Sequence, residues 1–347
     1  MNLNNTSSGK QYNNVGNGSQ YNAENITIHH AASDSSDKDR QFLIDLKLSD
    51  PRLDKDRIER TKGGLFKDSY LWILNNVDFQ RWRDDFQNRL LWIRGDPGKG
   101  KTMLLCGIID ELNEENSGHQ PIYFFCQATD SDLSSASAIL RGILYLLLKR
   151  KPQLVKDLRE TYDYCDRRLF ESRNGWETLC DMIISVLANE SFQNAVIVID
   201  ALDECITGVD RLLDFIRLLS SKAVRVIVSS RNWPTIERGI AAAAQKAAHV
   251  SLELNEQSVS AAVVAFIEHK VNQLAQKHEY SAAKRDLVHS TLVKNSHSTF
   301  LWAALVCQQL ADNNTNDWEV ESKRREYEKT VICFEVHCQV FETDILG

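Results

Sequence analysis

The sequence predicts an α/β protein, a parallel sheet covered by helices on both faces, with helical flanks and a disordered N-terminal tail. Three observations carry the prediction. Five short runs are apolar on both faces: Leu90–Arg94, Ile122–Phe125, Ala195–Ile199, Val224–Val228 and Val250–Leu254. Stretches of helical periodicity lie between them, at Lys101–Glu114, Ser135–Lys149, Trp176–Ala188 and Asp210–Ser220. A glycine-rich octet separates the first run from the first of these helices. Strands without a polar face need cover on both sides, and parallel strands need long crossovers, which helices supply. Right-handed crossovers follow.

The elements divide the chain into five segments. Residues 1–37 are crowded with Asn, Ser, Gly and Gln and poor in aliphatic side chains, so they are expected to stay disordered. The tract has an internal echo, Gly9-Lys10-Gln11-Tyr12-Asn13 and then Gly18-Ser19-Gln20-Tyr21-Asn22, followed by Asn25-Ile26-Thr27-Ile28. Uncharged amides with spaced aromatics favour in-register cross-β stacking, with a floppy polar tail as the alternative. Residues 38–88 form a helical linker region. There Arg40–Leu46 reads as an amphipathic helix ended by Pro51, Gly63-Gly64 as a turn, Leu71–Leu74 as a second helical stretch and Gln80–Asn88 as a polar segment. Residues 89–256 hold the strand–helix alternation, 257–312 are helical throughout, and 313–347 open on Asn313-Asn314-Thr315-Asn316 and read as a divergent or disordered tail.

Composition narrows the class. At 347 residues the chain exceeds the ~250–300 at which one core stops growing, so one domain with appendages or two modest domains are expected. With 43% hydrophobic and 26% charged residues, collagen, coiled coil and whole-chain disorder are excluded. A net charge of −7 gives no bulk attraction to nucleic acid. No run approaches the ~20 apolar residues of a membrane span, and the start lacks the apolar stretch of a secretory signal. The eight cysteines form no C-x-x-C pair and read as thiols of a reducing, cytoplasmic compartment. His29-His30 and Lys323-Arg324-Arg325 read as solvated polar segments, and Phe300 and Trp302 as core of an apolar helix.

The octet is Gly95-Asp96-Pro97-Gly98-Lys99-Gly100-Lys101-Thr102. It matches G-x-x-x-x-G-K-[ST] between a strand and a helix, which is a P-loop. Glycines let successive backbone N–H groups curl around phosphate oxygens at the positive end of the helix. Lys101 is placed to reach the β- and γ-phosphates, and the Thr102 hydroxyl to ligate Mg²⁺. The metal also needs an acid at the tip of a neighbouring strand, and Val196-Ile197-Val198-Ile199-Asp200 supplies it in Asp200. Asp203 and Glu204 follow, placed either to orient or deprotonate an attacking water or to cap the next helix. Arg231 ends Val226-Ile227-Val228-Ser229-Ser230-Arg231, either as a reader of the γ-phosphate at the ligand-binding edge of the sheet or as a surface arginine. Ser229 and Ser230 are weaker candidates.

These residues resemble a known family. Asp200-Ala201-Leu202-Asp203-Glu204-Cys205 after an apolar strand, the P-loop octet and Val228-Ser229-Ser230-Arg231-Asn232-Trp233-Pro234 are similar to the NACHT-type STAND NTPases of filamentous fungi, the NLR-like heterokaryon-incompatibility and innate-immunity group. Asp50-Pro51-Arg52, Lys62-Gly63-Gly64-Leu65, Phe125-Cys126-Gln127-Ala128 and Thr299–Cys307 fit as well, so the resemblance spans roughly 40–312. The Asn/Gly-rich start resembles the sigma-type prion-like motif that precedes some of these domains. Two departures stand out. No repeat array is found, and the pattern is lost after about Trp318, so the chain is expected to be truncated before the winged helix and C-terminal repeats of the family.

The resemblance implies a signalling switch. It binds ATP or dATP with Mg²⁺, hydrolyses it slowly, self-associates into a homo-oligomer and passes an amyloid template to a downstream effector carrying a matching motif. Two alternatives stay open: a nucleotide-binding adaptor or remnant that does not cycle, and a housekeeping P-loop enzyme such as a kinase or motor.

Overall fold

The computed structural model describes residues 31–85, 87–114, 121–163, 168–172, 174–193, 195–222, 224–243 and 247–312. The Tyr-Asn echo, His29-His30 and the segment 313–347 lie outside the described residues. The first helix, α1 (Ala31–Leu46), begins inside the tract that composition assigns to disorder.

Pro51 does not end α1, which stops at Leu46, but opens α2 (Pro51–Thr61). Proline suits the first helical position because its missing N–H is one that no helix satisfies. Asp50 caps the helix: its carboxylate accepts the N–H of Arg52 at 3.1 Å and its guanidinium at 2.7 and 3.0 Å. Leu71–Asn75 forms a 3₁₀ turn, and the segment read as polar holds the helix α3 (Val77–Asp84). Its apolar residues are only Val77, Phe79 and Trp82, too few for a clear stripe. Asn76 accepts the N–H groups of Asp78 and Phe79, and Phe79 and Trp82 are buried.

The body follows as β1 (Leu90–Arg94), α4 (Lys101–Glu114), β2 (Ile122–Phe125), α5 (Ala136–Arg150), α6 (Val155–Asp163), α7 (Arg168–Glu171), α8 (Gly175–Leu187), β3 (Val196–Asp200), α9 (Val209–Ser221), β4 (Arg225–Ser230), α10 (Pro234–Ala243) and β5 (Ala248–Ser251). All described pairings are parallel, in the order β2-β3-β4-β1-β5. Flanking helices cover the sheet, and β1 to β4 are buried almost throughout. The fifth strand starts two residues earlier than its apolar run and ends at Ser251. It is an edge strand, so exposed His249 is tolerated within it. The Ser251 carbonyl and hydroxyl then accept from Asn255 and Leu254 and turn the chain.

One expectation needs correction. Asp200 does not stand on a strand beside β1, because β4 lies between β1 and β3. Register places Ile93 opposite Ser229 and Ile199 opposite Val228, so β4 separates the strand that leads into the loop from the strand that ends in the acid.

Three helices complete the described chain: α11 (Glu256–Lys277), α12 (Ala282–Asn295) and α13 (Phe300–Asp312). They share an apolar cluster of their own, built on Phe266, Ile267, Val271, Val288, Leu292 and Trp302. Phe300 packs against both this cluster and the sheet core. Buried Trp302 agrees with the core assignment. No helix among the described residues is long and apolar enough to cross a membrane.

Candidate functional site

The C-terminal ends of the parallel strands bring the singled-out residues together, as open α/β sheets do. Residues 95–100 join β1 to α4, whose first two residues are Lys101 and Thr102. Gly98 and Gly100 take φ of +77° and +86°, values open to glycine at no steric cost. A Cβ on Gly100 would also sit 2.7 Å from the Phe300 ring. Lys101 folds its ammonium back onto its own loop, donating to the carbonyls of Gly95 and Asp96, the latter at 3.0 Å. Burial pulls the Lys101 pKa below its ordinary value, against the opposing pull of Asp203 and Asp200.

Asp200 ends β3 almost fully buried. The Ser229 hydroxyl donates to it at 2.5 Å, and its carboxylate also hydrogen-bonds the Thr102 side chain. Burial raises its pKa in spite of both bonds. Ala201 then turns through the left-handed region at φ +52°, with its N–H on the Ser229 hydroxyl at 2.9 Å. Ser229, ranked low from sequence, thus ties the inserted strand β4 to the acid end of β3. Ser230 accepts the indole N–H of Trp92 at 2.8 Å and donates to the Arg231 carbonyl at 2.8 Å.

Asp203 and Arg231 form one unit. Asp203 accepts the Arg231 backbone N–H at 3.0 Å with one oxygen and the guanidinium Nε at 3.1 Å with the other. Asp203 is nearly buried and Arg231 is about a quarter exposed. Glu204 accepts the Ala128 N–H at 3.0 Å, and burial raises its pKa against that bond. Neither acid caps α9, whose N-terminal position is Gly208 without a side-chain cap. Both carboxylates are engaged by donors.

Two contacts escaped the sequence reading. The Gly98 carbonyl accepts the N–H of Phe300 at 3.0 Å and that of Leu301 at 3.3 Å, so α13 starts on the P-loop. Glu253, just past β5, accepts the Asp96 N–H at 2.7 Å. Its only signal in sequence is its place beyond a strand end.

A cavity of about 720 Å³ opens beside the loop, between Lys101, Thr102, Asp200 and Arg231 on one side and Phe266 and Phe300 on the other. Its polar end combines a half-buried ammonium with a carboxylate–hydroxyl pair of hard oxygen donors, which suits a phosphate chain with Mg²⁺. Its other end is aromatic and apolar, which suits a nucleoside. The residues present therefore fit a magnesium nucleotide, with Lys101 and the loop toward phosphate and Thr102 and Asp200 toward the metal.

Strand order, the loop after β1 and the acid ending β3 define a P-loop NTPase fold with a nucleotide-type site. Residues 68–231 match the family model described as Nephrocystin 3, N-terminal. The chain is 50% identical over 277 residues, 79% of its length, to the vegetative incompatibility protein HET-E-1 of Podospora anserina. It spans about a fifth of the length of that relative (20%). The two matches relate the chain to a fungal vegetative incompatibility protein and to the Nephrocystin 3 N-terminal family model. Among solved structures, C. elegans PCH-2 aligns with 84% of this chain and 59% of its own, at 13% identity and a TM-score of 0.35. That likeness is too loose to bear on the site.

Proposed function

We propose that this chain is the nucleotide-operated switch of an NLR-like incompatibility protein, acting in the cytoplasm in non-self recognition and programmed cell death. ATP or dATP with Mg²⁺ supplies the γ-phosphate whose presence or loss distinguishes the two states. The observation that carries the reading is the bond from α13 to the Gly98 carbonyl. A change in loop shape must move or strain the start of α13, so loop occupancy and the helical unit are mechanically joined. Lys101 would exchange its two loop carbonyls for phosphate oxygens. Thr102 and Asp200 would hold the metal, and Arg231 would read the γ-phosphate.

In this proposal the helical unit controls self-association, and the homo-oligomer presents the 1–37 motif to an effector with a matching motif. Slow hydrolysis resets the switch. Oligomer size measured by light scattering, with and without a non-hydrolysable ATP analogue, tests it. Wild type should enlarge with the analogue and Lys101→Ala should not. A monomer under all conditions defeats the proposal.

A second reading is favoured by the engaged carboxylates. With Asp203 on Arg231 and Glu204 on Ala128, each carboxylate already accepts from a donor of its own chain. A chain that binds nucleotide tightly and releases no phosphate over many hours would be a non-cycling adaptor.

A further inference from the structure

Glu253 stands where four strand ends meet in the order β3, β4, β1, β5. Its Oε1 accepts the Asp96 N–H at 2.7 Å, and its Oε2 accepts the Ser251 hydroxyl at 3.0 Å. The carboxylate also hydrogen-bonds the Asn232 side chain. Asn232 follows Arg231, which is itself fixed to Asp203 through backbone and guanidinium. A continuous line therefore runs from Asp203 through Arg231 and Asn232 to Glu253 and back to the first turn of the P-loop. Ser251, at the other oxygen, sets the turn that leads into α11.

The loop is shaped to this contact. A Cβ on Gly95 would lie 2.9 Å from the Leu252 Cβ and 3.2 Å from Glu253 Oε1, so the tip of β5 packs against the first position of the P-loop. A carboxylate beside a polyanion site works against binding, and Glu253 is one of the charges felt by Lys101. Its acceptor oxygens, rather than its charge, are what the loop uses.

We infer that Glu253 is a positioning residue, which ties the P-loop to the Arg231 segment so that the site distinguishes triphosphate from diphosphate. The inference rests on the nucleotide reading above. It assigns no chemistry to Glu253 and predicts an effect through Asp96 and Asn232.

Calorimetric titration of the full chain with the non-hydrolysable ATP analogue and with ADP, both with Mg²⁺, tests it. Glu253→Ala should weaken triphosphate binding by about tenfold, the scale of a lost charge-assisted hydrogen bond, and should weaken ADP less. Glu253→Gln keeps an acceptor and removes the charge, so its triphosphate affinity should match or exceed wild type. Asn232→Ala, which leaves the Asp96 bond intact, should lower the triphosphate-to-diphosphate ratio even where Glu253→Ala does not fold. Equal loss for both nucleotides in Glu253→Ala and an unchanged ratio in Asn232→Ala would reduce Glu253 to a structural residue and overturn the inference. A wild type that binds neither nucleotide overturns the nucleotide reading with it. Wild-type binding with Glu253→Ala and Asn232→Ala both matching it overturns this inference alone.

Discussion

The backbone N–H of Phe300 donates to the carbonyl of Gly98 at 3.0 Å, and the Phe300 ring closes over Gly100. The first N–H groups of a helix lack partners within it, and here the P-loop supplies one. The last described helix is thereby seated on the loop by its backbone and by one aromatic side chain, which meets Phe266 edge-on at 5.7 Å.

Gly100→Ala places a methyl against Phe300 at a φ of +86° and is expected to abolish nucleotide binding. Phe300→Ala removes the clash but not the strained φ. A cycle of the two substitutions should show a coupling of about 1–2 kcal/mol in unfolding free energy. Strictly additive effects would show that the ring does not constrain the loop.

Asp203 and Arg231 should also couple. Removing either leaves a partly buried partner unpaired, and the double substitution Asp203→Asn with Arg231→Met relieves that penalty. Denaturant unfolding of the three variants is expected to give a coupling of about 1–3 kcal/mol. Independent effects would mean that solvent screens the pair.

Burial of Asp200 disfavours its ionised form. Burial raises its folded pKa above the unfolded value of about 3.8, so its contribution is most favourable below that value and is lost as pH rises through the folded pKa. Asp200→Asn should therefore stabilise the nucleotide-free chain at neutral pH by about 1 kcal/mol, with the advantage shrinking toward acid, while metal-dependent binding falls. Melting curves that show no gain at neutral pH would contradict the assignment.

Asp50 behaves in the opposite sense. Burial pushes its pKa up, but the Arg52 side chain and N–H, with the Tyr145 hydroxyl at 3.3 Å, outweigh burial and hold it below the ordinary value. Its stabilisation is present above about pH 3.8 and is lost as pH falls through the lowered folded value. Asp50→Ala should cost about 1–2 kcal/mol at neutral pH through the α2 cap and the Arg52 pair. A cost that persists unchanged in strong acid would point to packing alone.

Much of this was legible in the chain. The ranges Leu90–Arg94, Ile122–Phe125 and Lys101–Glu114 are the same in sequence reading and structure, because continuous apolar runs and a glycine-bounded helix start are local signals. The α3 helix was not legible, since Phe79 and Trp82 supply most of its burial and Asn76 its start. The role of Pro51 inverted for a related reason. A proline breaks the helix before it or begins the one after it, and the Asp50 cap decides which.

The sequence by itself determined the sheet class, the phosphate loop and the acid that ends β3, because each depends on residues adjacent in the chain. Tertiary structure decided which strand lies between the strand of the loop and the strand of the acid, and therefore that Ser229 holds the acid. It also decided that Asp203 belongs to Arg231, that Glu253 holds Asp96, and that Phe300 rests on Gly98. These contacts join residues 28 to 202 positions apart in sequence, which only the parallel stacking of strand ends and the return of the helical unit bring within hydrogen-bond reach.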